Sequence, residues 1–403
     1  MDCLSCPNAN TSQCKVLPIQ ETFSYDKEIY SKPTNVVLGL TARCNLSCPY
    51  CFVNQHNQDM DLETARNAIQ IVLKNGKEQG IRPQVIFFGG EPLLKFEEII
   101  APITEEFYKE VDFGITTNGV LLDEDKVDFF YQHNICPLLS FDGVKIVQDS
   151  QRPGKNFSSF DKIVRNIPYF LFRFPEGVMR ATITKASIPH LYESFCWAEE
   201  IGFLKTAWCV NSYEEWSEED ANIFQEEIDK ISIHVYEKLL KGERAVEVRF
   251  LQSAVESLEK YYTSGLKFNN AMKRCGLAST TFSVCPNGDI APCQEKISCP
   301  TWIVGNVNNG GIDCKKHEEF LNWYWDKIHT LTCKKDCPIN VRAFCLSNTC
   351  PSRLEDQDFK MSSSHCWSTK KMYMAAERLR MLSYGSIIPT VNRYFYGGAY
   401  EKD

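Results

Sequence analysis

The sequence predicts an α/β protein: a partial (β/α)6 TIM-type barrel, then a helical connector, then a small cysteine-rich β-hairpin and loop module. Three observations predict it. From about residue 34 to 210, short apolar runs alternate with stretches of helical period, the pattern of βα units in series. Residues 211–268 then read as a helical connector with an acidic start. Finally, the 19 cysteines are unevenly spread: three lie in 1–14, three in 44–51, three in 136–209 and ten in 275–366. The expected units are an extension over 1–33, the barrel over 34–210, the connector over 211–268, the cysteine module over 269–370, and a C-terminal helix and tail over 371–403.

Each barrel element has its own signal. Val36 to Leu40 is a buried-strand candidate that runs straight into a cysteine loop. Leu62, Ala65, Ile69, Val72 and Leu73 recur at helical spacing. Val85 to Phe88 is the second strand, followed by a helix with Phe96, Ile99, Ile100, Ile103 and Phe107 on one face. Further strands are expected at 113–116, 138–141, 179–183 and 205–210, with helices at about 123–133, 160–172 and 189–201. Parallel strands with right-handed crossovers curl toward a barrel, and in such folds chemistry gathers at the C-terminal strand ends. In the connector, Val246–Leu258 reads as an amphipathic helix, and the glutamates from Glu214 to Glu227 as a solvated face.

Composition excludes some function classes. The chain is 43% hydrophobic and 24% charged, ordinary for a globular protein. A net charge of −8 argues against broad nucleic-acid binding, which needs a basic face. No apolar run approaches the ~20 residues of a membrane helix. The start, Met1-Asp2-Cys3-Leu4-Ser5-Cys6, lacks the basic and apolar regions of a signal peptide. The expected location is therefore cytoplasmic, where many thiols point to metal ligation rather than disulfides.

The run Cys44-Asn45-Leu46-Ser47-Cys48-Pro49-Tyr50-Cys51 has the spacing C-x3-C-x2-C. Three thiolates on one short loop can hold three irons of a [4Fe–4S] cube, leaving the fourth iron open to a small molecule. A zinc site would ask for four N/S ligands in paired spacings. Gly89-Gly90-Glu91-Pro92 follows the second strand, Thr116-Thr117-Asn118-Gly119 the third, and Ser140-Phe141-Asp142-Gly143 the fourth, while Arg180 lies in the fifth. Glycines admit a ligand close to the backbone, and a neighbouring carboxylate can accept from an ammonium group.

With these motifs in this order, residues 34–210 resemble the radical S-adenosylmethionine (SAM) enzymes. The resemblance implies that Cys44, Cys48 and Cys51 hold a [4Fe–4S] cluster. It implies that Gly89, Gly90, Glu91 and Pro92 hold the SAM amino group, and that Ser140 and Arg180 bind its ribose and carboxylate. Tyr50 and Phe52 would contact adenine, with Thr117, Asn118 and Asp142 completing the SAM-binding set. It further implies reductive cleavage of SAM to methionine and a 5′-deoxyadenosyl radical that abstracts a substrate hydrogen.

The second half carries Cys275, then Phe282-Ser283-Val284-Cys285-Pro286-Asn287-Gly288-Asp289-Ile290-Ala291-Pro292-Cys293. This reads as a hairpin turning at Pro-Asn-Gly-Asp. Cys333, Cys337, Cys345, Cys350 and Cys366 follow. The pattern resembles the SPASM extension of radical SAM enzymes, which holds two auxiliary [4Fe–4S] clusters. By that resemblance Cys275, Cys293 and Cys350 hold the first and Cys333, Cys337, Cys345 and Cys366 the second. Cys285 is a candidate fourth ligand to the first, the alternative being an open iron that binds a substrate thiolate. The spacings of three, seven and four residues within 333–350 are each longer than the family form, which leaves the ligand assignment open. A zinc knuckle is the competing reading. Cys299 and Cys314 read as free thiols, and the role of Cys3, Cys6 and Cys14 stays open.

The implied protein is an oxidoreductase of the peptide-modifying branch, similar to RiPP maturases and sulfatase maturases, with three [4Fe–4S] clusters and SAM. The expected partners are a precursor peptide and a flavodoxin- or ferredoxin-type reductant, with no nucleic acid and no membrane. The leading expectation is an oxidative crosslink, a thioether or a C–C or C–O bond. Oxidation of Cys or Ser to formylglycine is the alternative, and an iron–sulfur electron carrier or scaffold is the alternative of another class.

Overall fold

The computed structural model describes residues 32–211, 213–255, 280–297, 302–330 and 371–379. Cys3, Cys6, Cys14, Cys275, Cys299, Cys333, Cys337, Cys345, Cys350 and Cys366 lie outside the described residues. None of the described helices is long and apolar enough to cross a membrane.

Six parallel strands form where the apolar runs stand: β1 Asn35–Gly39, β2 Gln84–Phe88, β3 Asp112–Thr117, β4 Leu138–Ser140, β5 Val178–Ile183 and β6 Lys205–Val210. Each pairs with the next in parallel register, for example Leu38 with Phe87 and Phe87 with Ile115. Helices cover the crossovers: α1 Leu62–Gln79, α2 Ala101–Phe107, α3 Glu124–Gln132, α4 Lys145–Gln151, α5 Ser159–Val164, α6 Ile167–Arg173 and α7 Leu191–Ile201. Their ends follow local chemistry. Asp61 caps α1 by accepting from the Thr64 amide, and Gly80 closes it in the left-handed conformation at φ 66°. Ala65, Ala68, Ile69 and Val72 form its buried stripe.

The sequence expectation of one helix over 160–172 gives way to two, α5 and α6. Pro168 lies in the first turn of α6, where its missing N–H costs nothing, but it could not donate inside a continuous helix. Likewise the helix expected from Phe96 begins as a π-helical turn over Phe96–Ile100 before α2 takes over.

The sheet does not stop at residue 210. The connector carries the expected helix, α8 Glu218–Leu240, begun by a reciprocal Ser217–Asp220 capping box. Val246–Leu258 is not a continuous helix, however. Glu247–Val248 is a strand, β7, which pairs Lys205 with Glu247 and Thr206 with Val248 on β6, and the helix starts only at 249. The open edge of β6 needed hydrogen-bond partners, and Val246 and Val248 bury in the core. Glu227 also departs from the solvated-face expectation: it is buried and accepts from the Tyr192 amide at 2.9 Å.

The expected hairpin is present as β8 Thr281–Val284 and β9 Ile290–Ala291, antiparallel, with Val284 opposite Ile290. The position of β8 was not anticipated. It pairs in parallel with β1, Asn35 to Thr281 through Leu38 to Val284. The nine strands thus run β7-β6-β5-β4-β3-β2-β1-β8-β9.

One apolar core lies between sheet and helices, with Phe87, Phe130, Phe141, Phe170, Phe195, Phe203, Phe224 and Phe282 fully buried. Phe87 stacks on Phe113 with ring centres 5.2 Å apart. Phe87→Ala should lower the unfolding free energy by about 3–5 kcal/mol through lost burial and a residual cavity. A urea titration would show this as an earlier midpoint with little change of slope.

Candidate active site

The loop after β1 carries the three cysteines and is fixed at several points. The Leu40 amide donates to the Phe88 carbonyl at 2.9 Å, continuing the ladder one step beyond the strands. Asp59 accepts from Thr41 Oγ1 at 2.6 Å and from Arg43 Nε at 2.9 Å, with Lys95 3.4 Å away. The Ser47 amide donates to the Pro153 carbonyl at 3.0 Å, and Gln55 Nε2 to the Leu46 carbonyl at 3.0 Å.

The Gly-Gly-Glu-Pro segment lies directly against this loop. The Gly90 amide donates to the Thr41 carbonyl at 2.7 Å and the Glu91 amide to the Arg43 carbonyl at 2.9 Å. Gly89 has φ 131°, and a Cβ on Gly90 would strike the Arg43 carbonyl oxygen. Both glycines are therefore required by geometry. Glu91 is fully buried and accepts from the Leu93 amide at 3.0 Å, Thr117 Oγ1 at 2.7 Å and the Asn118 amide at 2.8 Å. Burial pushes its carboxyl up to about 7, against the pull of these donors. Asn118 in turn places Nδ2 2.7 Å from Asn45 Oδ1 and 3.6 Å from Cys44 Sγ, where the Leu46 amide also points at 3.4 Å.

A second buried set centres on Asp142. Its carboxylate accepts from Tyr50 Oη at 2.5 Å, Gln151 Nε2 at 2.9 Å, the Thr182 amide at 2.9 Å and Arg152 Nη2 at 3.1 Å. Arg152 and Gln151 were not singled out from the sequence. The only signal for them was a charged and an amide residue just before Pro153 at the end of a helix. Ser140 and Arg180 are register partners on β4 and β5, and Arg180 Nη1 donates to Thr182 Oγ1 at 3.1 Å.

These residues surround a cavity of about 310 Å³. Cys44, Cys48, Cys51, Tyr50, Phe52, Gly89, Gly90, Thr117, Asn118, Ser140, Arg152 and Arg180 all line it. Among the sequence-predicted ligand residues, Glu91, Pro92 and Asp142 stand behind its wall and hold residues that line it. Phe52 is half-exposed and stacks on Phe88 with centres 6.0 Å apart. A second cavity of about 670 Å³ adjoins the first, sharing Tyr50, Cys51, Phe52, Asn211, Tyr213 and Glu295 with it. Cys293 is half-buried, whereas Cys285 packs in an apolar cluster with Val37, Ala291 and Ile297.

Donor chemistry decides what the loop can hold. Among the described residues no three His, Cys, Asp or Glu side chains are placed to hold a single metal ion. Cys44, Cys48 and Cys51 line one cavity, and three thiolates leave a zinc site one ligand short but can hold three irons of a cube. Burial pushes the Cys44 thiol up to about 12 and that of Cys48 up to about 11. A bound metal cation would favour the deprotonated thiolates against that burial. The donors facing Cys44 Sγ suit a ligated thiolate.

Residues 38–171 match the model of the Radical SAM superfamily. The chain carries a radical SAM domain. The family implies SAM and a [4Fe–4S] cluster, and the sheet is consistent with the partial TIM-type barrel of radical SAM enzymes. A cysteine-type anaerobic sulfatase-maturating enzyme of Clostridium perfringens is 23% identical over 353 residues, 82% of this chain and 92% of that protein. MJ0907 of Methanocaldococcus jannaschii, an uncharacterized protein, is 32% identical over 166 residues, 40% of this chain; the match spans 56% of that protein's length. Solved structures share the fold. That of anSMEcpe with bound AdoMet has a TM-score of 0.69 at 21% identity, covering 91% of this chain and 98% of that one. That of Streptococcus suis SuiB bound to the precursor peptide SuiA has a TM-score of 0.58 at 17% identity, covering 83% and 76%.

Proposed function

We propose that this radical SAM enzyme is a maturase that oxidises a residue of a ribosomally made peptide, forming a thioether or a C–C or C–O crosslink. The observation that carries this reading is the pair of joined cavities. The inner one is lined by the cysteine loop and the SAM-binding set, and the outer one is roomy enough for a peptide segment to present a side chain to it. When bound, the cluster and SAM supply a 5′-deoxyadenosyl radical that removes one hydrogen atom from substrate. The chain's own residues then position substrate and exclude water. Phe52 and Tyr50 form the apolar wall between the two cavities.

An oxidative outcome also needs an acceptor for a proton and for a second electron. Glu295 lines both cavities and accepts from Tyr213 Oη at 3.1 Å, which places a carboxylate at the junction. The electron acceptor would be the auxiliary clusters of the SPASM-like region, whose expected ligands include Cys275, Cys293, Cys333, Cys337, Cys345, Cys350 and Cys366. A flavodoxin- or ferredoxin-type protein would reduce the SAM-binding cluster. Glu295→Gln should leave SAM cleavage intact while reducing crosslinked product by about 10²-fold, the usual contribution of a general base. Product mass and 5′-deoxyadenosine measured in the same reaction check it.

A second reading is supported by the C. perfringens relative, named a cysteine-type anaerobic sulfatase-maturating enzyme, which aligns over 82% of this chain. It is oxidation of a Cys or Ser to formylglycine. Anaerobic incubation with SAM, reductant and either a precursor peptide or a sulfatase-derived peptide separates the two. Loss of a hydrogen pair with a new internal bond supports the crosslink, and an aldehyde trapped by hydroxylamine supports formylglycine. Absence of 5′-deoxyadenosine would favour an electron carrier instead.

A further inference from the structure

We infer that Arg152 is a built-in cation that eases electron uptake by the cluster on Cys44, Cys48 and Cys51, and that Asp142 and Tyr50 hold it there. The inference rests on the reading of that loop as a cluster site. Arg152 ends α4, and the next residues join the loop. Pro153 accepts from the Ser47 amide at 3.0 Å, and Gly154 forms an antiparallel bridge with Leu46. The backbone thereby brings Arg152 beside the stretch between Cys44 and Cys48.

The side chain has little solvent around it. It is 9% exposed, and the Asp142 side chain is 0% exposed. Arg152 Nη2 donates to Asp142 Oδ1 at 3.1 Å, Nε lies 3.0 Å from Oδ2 without making a hydrogen bond, and the guanidinium lies 5.5 Å from the centre of the Tyr50 ring. The charge-assisted hydrogen bond and the close ion pair hold the guanidinium against Asp142. Arg152 lines the cavity that the three thiols share, whereas Asp142 does not.

The counter-charge on Asp142 is thus set back from that cavity. Its carboxylate also accepts from Tyr50, Gln151 and the Thr182 amide, which share its negative charge. Net charge and hydrogen bonds around a cluster set its reduction potential, and a largely buried charge is screened less than one in open water. A reduced cluster carries one more negative charge, so Arg152 stabilises that state over the oxidised one.

The test is an anaerobic redox titration without SAM, followed by the electron paramagnetic resonance of the reduced cluster, with iron counted per chain. Leaving SAM out removes any contribution of Arg152 to ligand binding. At the poise that half-reduces the wild-type cluster, R152Q should retain its iron but show a reduced-to-oxidised ratio about tenfold lower, a shift of about 59 mV for one electron. R152K should recover most of that ratio, and D142N, whose amide oxygen can still accept from Arg152 while the counter-charge is gone, should shift it the opposite way. An unchanged ratio in R152Q with full iron, or equal loss in R152K and R152Q, overturns the inference. If R152Q fails to load iron, D142N decides: a ratio at or below wild type overturns it. Wild-type protein that takes up no iron would instead overturn the cluster reading itself.

Discussion

Changing Cys44, Cys48 and Cys51 together to alanine is expected to stop 5′-deoxyadenosine release and to lower bound iron from about twelve to about eight per chain, at four irons per cube. The three thiols share one cavity with Gly89, Gly90, Ser140 and Arg180, so the cluster and the SAM it cleaves are lost together. Their removal should leave the fold standing, because the loop's hydrogen bonds to Asp59, Phe88 and Pro153 come from Thr41, Arg43, Leu40 and Ser47 rather than from the thiols. Anaerobic reconstitution followed by iron and sulfide assay gives the count. A fall from about four to none would instead mean that the C-terminal cysteines hold no cubes. The oxidative crosslink would then lose its electron acceptor.

Gly90→Ala is expected to cost SAM cleavage at least about 10²-fold, the scale of a misplaced reacting geometry. The added methyl would occupy the space of the Arg43 carbonyl oxygen. That oxygen accepts from the Glu91 amide at 2.9 Å, so the loop cannot recede without breaking the bond that joins the two motifs. Cys44 is the next residue and would move with it. Overpacking of this kind costs about 1–3 kcal/mol of stability, which thermal unfolding would detect. A variant that binds SAM with wild-type affinity and cleaves it at the wild-type rate would show that the close backbone contact is dispensable.

Much of this site is legible in the sequence because its chemistry is local. The cysteine loop, the Gly-Gly-Glu-Pro turn and Ser140 each follow an apolar run that becomes a strand, and period alone fixes which end they occupy. Arg180 is legible within its strand by the same logic. Arg152 was not legible, because its role depends on the fold bringing Asp142 and the Ser47 backbone to it. Period likewise places Glu91 and Asp142 at strand ends but does not tell a residue that lines a cavity from one that stands behind its wall. The two-residue strand β7 carries too short an alternation to compete with the helical period that follows it. The partner of β8 depends on a pairing across the whole barrel, which no local pattern encodes.

That last pairing has a consequence for synthesis. Asn35 on β1 meets Thr281 on β8, with their side chains 246 positions apart in sequence. While the chain is growing, the outer edge of β1 is an uncovered row of amides and carbonyls, the kind of template on which other chains aggregate. The strand that delivers the cysteine loop therefore remains exposed until the hairpin leaves the ribosome. Closing so long a loop is also slow. Chains truncated before residue 281 should accumulate in the insoluble fraction of an expressing cell, while chains extending past Ala291 should not.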